Sequence, residues 1–246
     1  MFIAIMLKPR LLITRFEPHA SRLVKLLNEQ GVFSLAQPLL EVQSSAECHD
    51  VDLIFVTRYD YIIAISAAAV KYTEQALDKK AWPTATFIAV GKRTQKMLQQ
   101  ATQKEVQCPP LQHDTQGLLA LACLNCVQGK KILILRGVGG RAKLKKTLES
   151  RGAEVSYYQP YQRVVIDLNM DELVENWQLH KINGAIISSI ELLENFTTRV
   201  RDKHWLYELH LYVPSQRILD RALQLGWVKI VLLASLADQQ IIDHFK

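Results

Sequence analysis

Short apolar runs alternate with amphipathic stretches of 3.6-residue period along almost the whole chain. The runs fall at Leu11–Thr14, Tyr61–Ser66, Phe87–Val90, Lys131–Arg136, Glu154–Tyr158, Ala185–Ser188, Leu211–Val213 and Lys229–Leu233, and the segments between them read as helices. Alternating strands and helices predict α/β architecture with parallel sheets covered on both faces. The strands are enough for two short sheets of about five each, a pair of flavodoxin-like domains.

The pattern also repeats. Leu12-Ile13-Thr14-Arg15 is answered by Leu133-Ile134-Leu135-Arg136, and from each arginine it is eight residues to a leucine (Leu23, Leu144) and eight more to a glycine (Gly31, Gly152). Pro38-Leu39-Leu40-Glu41-Val42 and Pro160-Tyr161-Gln162-Arg163-Val164 then match as extended connectors. Ile63-Ala64-Ile65-Ser66 is echoed 122 residues on by Ala185-Ile186-Ile187-Ser188. One supersecondary plan is present twice, and connectors between two such domains are expected to face a cleft.

Composition narrows the function classes. The 246 residues are 49% hydrophobic and 22% charged, which excludes a disordered or collagen-like chain. No apolar run reaches the roughly 18–20 residues that cross a bilayer. Met1–Leu7 is apolar but lacks a basic region before it and a small-residue cleavage site after it, so secretion is not indicated, and Met6 competes with Met1 as the start. Cys48, Cys108, Cys123 and Cys126 include one CxxC pair, but no second pair of ligands gives it zinc spacing. Reduced thiols in a cytoplasmic protein are the expectation. The formal charge of +6 suits an acidic partner; the basic run Arg141, Lys143, Lys145, Lys146 has no interleaved aromatics and reads as a solvated helix face rather than a nucleic-acid patch.

Candidate chemistry gathers where strands give way to helices. Ser66, Ser188 and Ser189 occupy such positions and are natural N-caps, a role that needs no ligand. Several such turns converging would hold a carboxylate-rich molecule at the carboxyl ends of the strands; Val90-Gly91-Lys92-Arg93-Thr94 and Pro214-Ser215-Gln216-Arg217 are two more. Gly137-Val138-Gly139-Gly140-Arg141-Ala142 matches G-x-G-x-x-G/A. The next strand ends in tyrosines rather than a ribose-binding acid, so an anion loop, a dinucleotide site and a plain tight turn all stay open. No nucleophile elbow, Walker loop or histidine pair at ligand spacing occurs.

Taken in order, these segments resemble the uroporphyrinogen-III synthase family. The resemblance covers nearly the whole chain: Leu12–Arg15, Ile65-Ser66-Ala67-Ala68-Ala69-Val70, Val90–Thr94, Leu133–Gly137, Gly152-Ala153-Glu154-Val155, Tyr161-Gln162-Arg163, and Leu225-Gly226 followed by Ala234 and Asp238. The Ser215-Gln216-Arg217 form resembles the gamma-proteobacterial branch. Two departures stand out: Ser215–Ile218 replaces a G-x-x-T turn, and Phe16 replaces a frequent proline.

The resemblance implies a discontinuous first domain, 1–37 plus 166–246, and a second over 42–160. Connectors 38–41 and 161–165 would join them as a two-stranded β-ladder beside the cleft. It implies a cofactor-free cyclising lyase that expels water from hydroxymethylbilane and inverts the last pyrrole ring through a spiro intermediate on the way to uroporphyrinogen III, in haem and sirohaem biosynthesis. Tyr161 matches the tyrosine suspected of helping the hydroxyl leave; packing of the ladder explains it equally well. Thr14, Arg15, Ser66, Ala67, Gly91, Thr94, Arg136, Gly137, Ser188, Ser189 and Ser215 carry over as substrate-binding positions. The implied partner is a linear tetrapyrrole with eight carboxylates, with no metal, nucleic acid or membrane. A monomer is expected, and transient contact with neighbouring pathway enzymes stays open. Two rival readings remain, a dinucleotide-dependent oxidoreductase resting on Gly137–Ala142 and a two-domain receptor for an acidic small molecule.

Overall fold

A computed structural model of the chain describes residues 8–246; the Met1–Leu7 stretch, and with it the choice between Met1 and Met6, lies outside the described residues. The chain divides into two compact units, one formed by the chain up to Glu41 together with Val164–Lys246, the other by Val42–Arg163. The strands are β1 (Arg10–Ile13), β2 (Phe33–Ala36), β3 (Leu40–Ser44), β4 (Tyr61–Ala64), β5 (Thr86–Ala89), β6 (Val106–Gln107), β7 (Lys131–Gly137), β8 (Glu154–Val165), β9 (Gly184–Ile186), β10 (His210–Val213) and β11 (Ile230–Leu232).

The first unit is a five-stranded sheet in the order β11-β10-β9-β1-β2, parallel throughout. Both faces are buried, as apolar runs without polar alternation require. Leu12, Ala185 and Leu211 face a core built around Trp177, Phe196 and Trp227, while Leu11, Ile13 and Ile186 face Leu23, Leu27 and Ile241. The helix His19–Glu29 supplies Ala20, Leu23 and Leu27 at helical spacing to the second of these faces.

The second unit carries the order β3-β8-β7-β4-β5-β6. Strands β4 to β8 are parallel to one another. β3 runs antiparallel to β8: the Ser45 N–H donates to the Pro160 carbonyl and the Ile166 N–H to the Leu39 carbonyl, both at 3.1 Å. Ile62, Ala64, Phe87, Leu133 and Leu135 line one face, with Ile63, Ile88, Ile132 and Ile134 on the other.

The two sheets are the same arrangement entered at different points. β7 starts 121 residues after β1, β8 121 after β2, β9 123 after β4, β10 124 after β5 and β11 124 after β6. Placed side by side, β11-β10-β9-β1-β2 and β6-β5-β4-β7-β8 match position for position. The duplicated plan is therefore not two domains in a row. Each unit takes the opening two strands of one copy and the closing three of the other. In its own chain order the first sheet reads 2-1-3-4-5, the flavodoxin order, and the second 3-2-1-4-5, its circular permutation.

Between Leu135 and Gly137 the β7–β8 register slips: Leu135 pairs with Tyr158, but Gly137 pairs with Tyr161. Two residues on β7 thus face three on β8, a β-bulge at Gln159-Pro160 that bends the strand and re-aims the side chains beyond it. Pro160 has no N–H to lose there. The consequence is that Tyr158 and Tyr161, which simple alternation would send to opposite faces, lie on the same one. Tyr161, expected on a connector between domains, is instead a residue of β8 inside the second unit, 6% exposed.

Candidate active site

In each sheet the chain first builds outward from one central strand, β1 or β4, and then crosses back to add the remaining strands on that strand's other side. These switch points lie between β1 and β9 and between β4 and β7, and open α/β sheets leave a crevice there at the carboxyl ends. The expected site residues fall on the turns that leave these strands or their immediate neighbours.

In the first unit Thr14 is 1% exposed and its hydroxyl donates to the Ile186 carbonyl at 2.9 Å, bridging the switch point from within the fold. Arg15, expected among the substrate-binding positions, has Nη1 2.9 Å from Asp238, and the same carboxylate takes Arg22 at 2.7 Å. Asp238 opens the helix Asp238–Phe245, where the helix dipole also favours its charge. Asp238→Ala should lower stability by about 1–2 kcal/mol, as loss of charged hydrogen bonds at a partly buried site does; an unchanged midpoint in urea unfolding would show the two ion pairs to be idle. Ser189 caps the helix Ile190–Arg199, accepting the Leu192 N–H at 3.2 Å, with half-buried Ser188 just before it. Ser215 stands at the start of the helix Gln216–Gln224 in extended conformation and makes no side-chain cap bond.

In the second unit Gly91 opens the helix Lys92–Thr102, with its backbone against the exposed His113: a Cβ there would lie 3.1 Å from His113 Cβ. Thr94 is inside that helix and 5% exposed. Ser66 caps the helix Ala67–Leu77, accepting the Ala69 N–H at 3.0 Å, and Ala67 is the first helical residue.

The Gly137–Ala142 loop is filled by its own arginine. Arg136, 5% exposed, donates from Nε to the Gly137 carbonyl and from Nη1 to the Arg141 carbonyl, both at 3.1 Å, and its guanidinium lies 4.7 Å from the Tyr157 ring centroid. A Cβ at Gly140, whose φ is +83°, would meet Arg136 Nη2 at 2.4 Å. The Val138 N–H is taken by the Tyr161 carbonyl at 2.8 Å. A dinucleotide loop turns N–H groups toward a pyrophosphate; this one turns two carbonyls toward a cation. That geometry removes the support for the oxidoreductase reading. It also gives Arg136 a loop-holding position.

What the fold does bring together is Ser66 and Tyr161. Their hydroxyls are 3.0 Å apart. Tyr161 is stacked on Tyr72, ring centroids 5.9 Å apart, and Gly137 lies directly against its ring. Gln159 reaches the Gly137 carbonyl at 3.4 Å. Tyr72, Gln159 and His113 are neighbours that the sequence reading missed. Tyr72 follows Ser66 by six residues on the same helix, a signal too common to single it out, and the other two arrive through the bulge and a loop.

These features define a two-unit α/β protein in which each unit carries helix-opening turns at the carboxyl ends of its own strands, and the second unit adds a part-buried hydroxyl pair. Residues 21–239 match the family model described as uroporphyrinogen-III synthase HemD. Curated uroporphyrinogen-III synthases from Salmonella typhimurium and Escherichia coli are 32% and 31% identical, each match covering 89% of this chain and 93% of the relative. Solved structures of uroporphyrinogen III synthase from Thermus thermophilus (a mutant form) and of the synthetase from Helicobacter pylori each superpose with a TM-score of 0.63, covering 96% of this chain and 97% of theirs at 12% identity. The chain belongs to the uroporphyrinogen-III synthase family, and is a cyclising lyase of tetrapyrrole biosynthesis.

Proposed function

We propose that this lyase acts on hydroxymethylbilane at the switch point of the second unit, with Tyr161 donating its proton to the departing hydroxyl. The observation that carries this reading is the Ser66–Tyr161 hydroxyl pair, 3.0 Å apart beside Gly137. A phenol stays protonated at neutral pH and can protonate a leaving oxygen. The matching place in the first unit has the cap, Ser189, but Leu39 stands where the repeat aligns Tyr161, so the proton donor belongs to one unit only. The turns at Ser66, Ala67 and Gly91, and separately those at Ser188, Ser189 and Ser215, offer amide N–H donors to substrate carboxylates at their own sheets' carboxyl ends. Arg136 and Gly137 shape the loop beside Tyr161. Thr14, Arg15 and Thr94 support these turns from behind.

The reaction needs restraint more than acid strength, because the free bilane closes unaided to the symmetrical type I isomer. The protein must hold the last ring so that the spiro intermediate forms and the ring inverts. The test is to supply hydroxymethylbilane and resolve the two uroporphyrinogen isomers. Type III is expected to dominate; type I alone, at the unaided rate, would overturn the reading. No helix among the described residues is long and apolar enough to cross a membrane. The four thiols are free, which supports a reducing, cytoplasmic compartment, and we propose a monomer, checked by light scattering.

A further inference from the structure

We infer that Ser66 is a positioning residue for Tyr161: its hydroxyl donates to the phenol oxygen and so leaves the phenol's own proton free for the substrate. The inference rests on the reading of Tyr161 as proton donor and adds a second residue to it. A serine hydroxyl has one proton and two lone pairs. One lone pair of Ser66 is taken by the Ala69 N–H at 3.0 Å. The proton then has the Tyr161 oxygen as its neighbour, also at 3.0 Å. The opposite polarity, with the phenol donating to serine, would tie up the proton that catalysis uses.

One observation favours the productive polarity, and two more show that the contact is held in place and is not required by capping. First, Ser66 is the cap of an eleven-residue helix whose N-terminal partial positive charge lies where phenolate charge would develop. Second, the Tyr161 ring cannot turn away, because Tyr72 stacks on it and the Gly137 backbone presses against it. Third, the cap works without a phenol in the matching turn: Ser189 accepts the Leu192 N–H at 3.2 Å on its own, so capping alone does not require Ser66 to meet Tyr161. In the step itself the substrate C–O bond breaks with its electron pair on oxygen. The phenol proton joins that oxygen to release water. The phenolate left behind keeps the Ser66 hydrogen bond and recovers a proton when the closing macrocycle loses one from carbon.

The experiment is a mutant cycle on the full chain with hydroxymethylbilane. Ser66→Ala should lower kcat by about tenfold, below the 10²–10⁴-fold range of direct general acid assistance, with KM within about twofold. Ser66→Thr should restore most of the rate, since threonine caps and donates alike. Ser66→Asp caps well but has no proton to give, so it should fold and lose kcat as alanine does, with any repulsion of substrate carboxylates read in KM. In a Tyr161→Phe background Ser66→Ala should cost nothing further. Multiplicative losses in that double variant, or a wild-type kcat for Ser66→Asp, would overturn the inference while leaving the type III assay of the parent enzyme intact. A parent enzyme that forms no type III product would instead sink the functional reading.

Discussion

Tyr161→Phe is expected to lower kcat by about two orders of magnitude, the low end of general acid assistance, and to raise the share of type I product, with the fold intact. The substitution removes one oxygen. The ring keeps its place, buried to 6% exposure and stacked on Tyr72 at 5.9 Å, so the stability change should be that of one lost hydrogen bond, about 0.5–1.5 kcal/mol. The isomer ratio adds what a rate alone does not. If the hydroxyl leaves more slowly from the bound bilane, a larger fraction dissociates and closes in solution as type I. A purely structural Tyr161 would instead show a lowered unfolding midpoint with kcat and isomer ratio unchanged. Stopped assays with chromatographic resolution of the two isomers, beside urea unfolding of the same preparation, separate these outcomes.

Most of the scaffold was legible because its strands are buried on both faces. Runs such as Ile62-Ile63-Ala64 and Leu133-Ile134-Leu135 have every residue at or near zero exposure, and a parallel sheet leaves few other uses for them. The strands that escaped were β2, where Ser34 and Ala36 dilute the run, and β6, two residues long. The sequence separates the run Glu154–Tyr158 from the extended connector Pro160–Val164; the structure joins both in one strand, β8, through the bulge. The caps at Ser66 and Ser189 were legible for a local reason, since a serine before a helix satisfies an N–H three residues on. The repeat, by contrast, showed which segments are copies but not which halves pack together. That choice depends on contacts between strands more than a hundred residues apart, such as β1 with β9.

The site itself was only half legible, and the Gly137 loop shows why. Its glycines fit an anion-binding fingerprint, yet the buried guanidinium of Arg136 takes the Gly137 and Arg141 carbonyls, which no spacing rule reveals. The Ser66–Tyr161 pair spans 95 residues and exists only because the bulge puts Tyr161 on the same face as Tyr158. One inserted residue in a strand decides whether the phenol meets the cap or points to the opposite core.

Gly137→Ala should therefore be as damaging as removing the phenol, by a different route. A Cβ at Gly137 would lie 2.6 Å from Tyr161 Cζ, 2.7 Å from Cε2 and 3.0 Å from the hydroxyl oxygen, closer than side chains pack. The Gly137 backbone is not in the left-handed region, so alanine is tolerated there by φ and the conflict is entirely with the ring. Tyr72 blocks retreat. A shift of about 1 Å is enough to open the 3.0 Å contact with Ser66, and misplacement of that size can cost about 10²-fold in rate. Gly139→Ala is the internal comparison: its φ is +78°, so alanine is strained, but the added Cβ meets nothing within 4 Å. It should lower stability by roughly 1–2 kcal/mol, the cost of left-handed backbone in a residue with a Cβ, and leave kcat near that of the parent. If Gly137→Ala turns over at the parent rate, Tyr161 has room to move without penalty and its present position is not the one that catalyses. If both glycine variants lose rate in proportion to their loss of stability, the loop acts through folding alone. The expected result is the split, with Gly137→Ala slow and Gly139→Ala unstable.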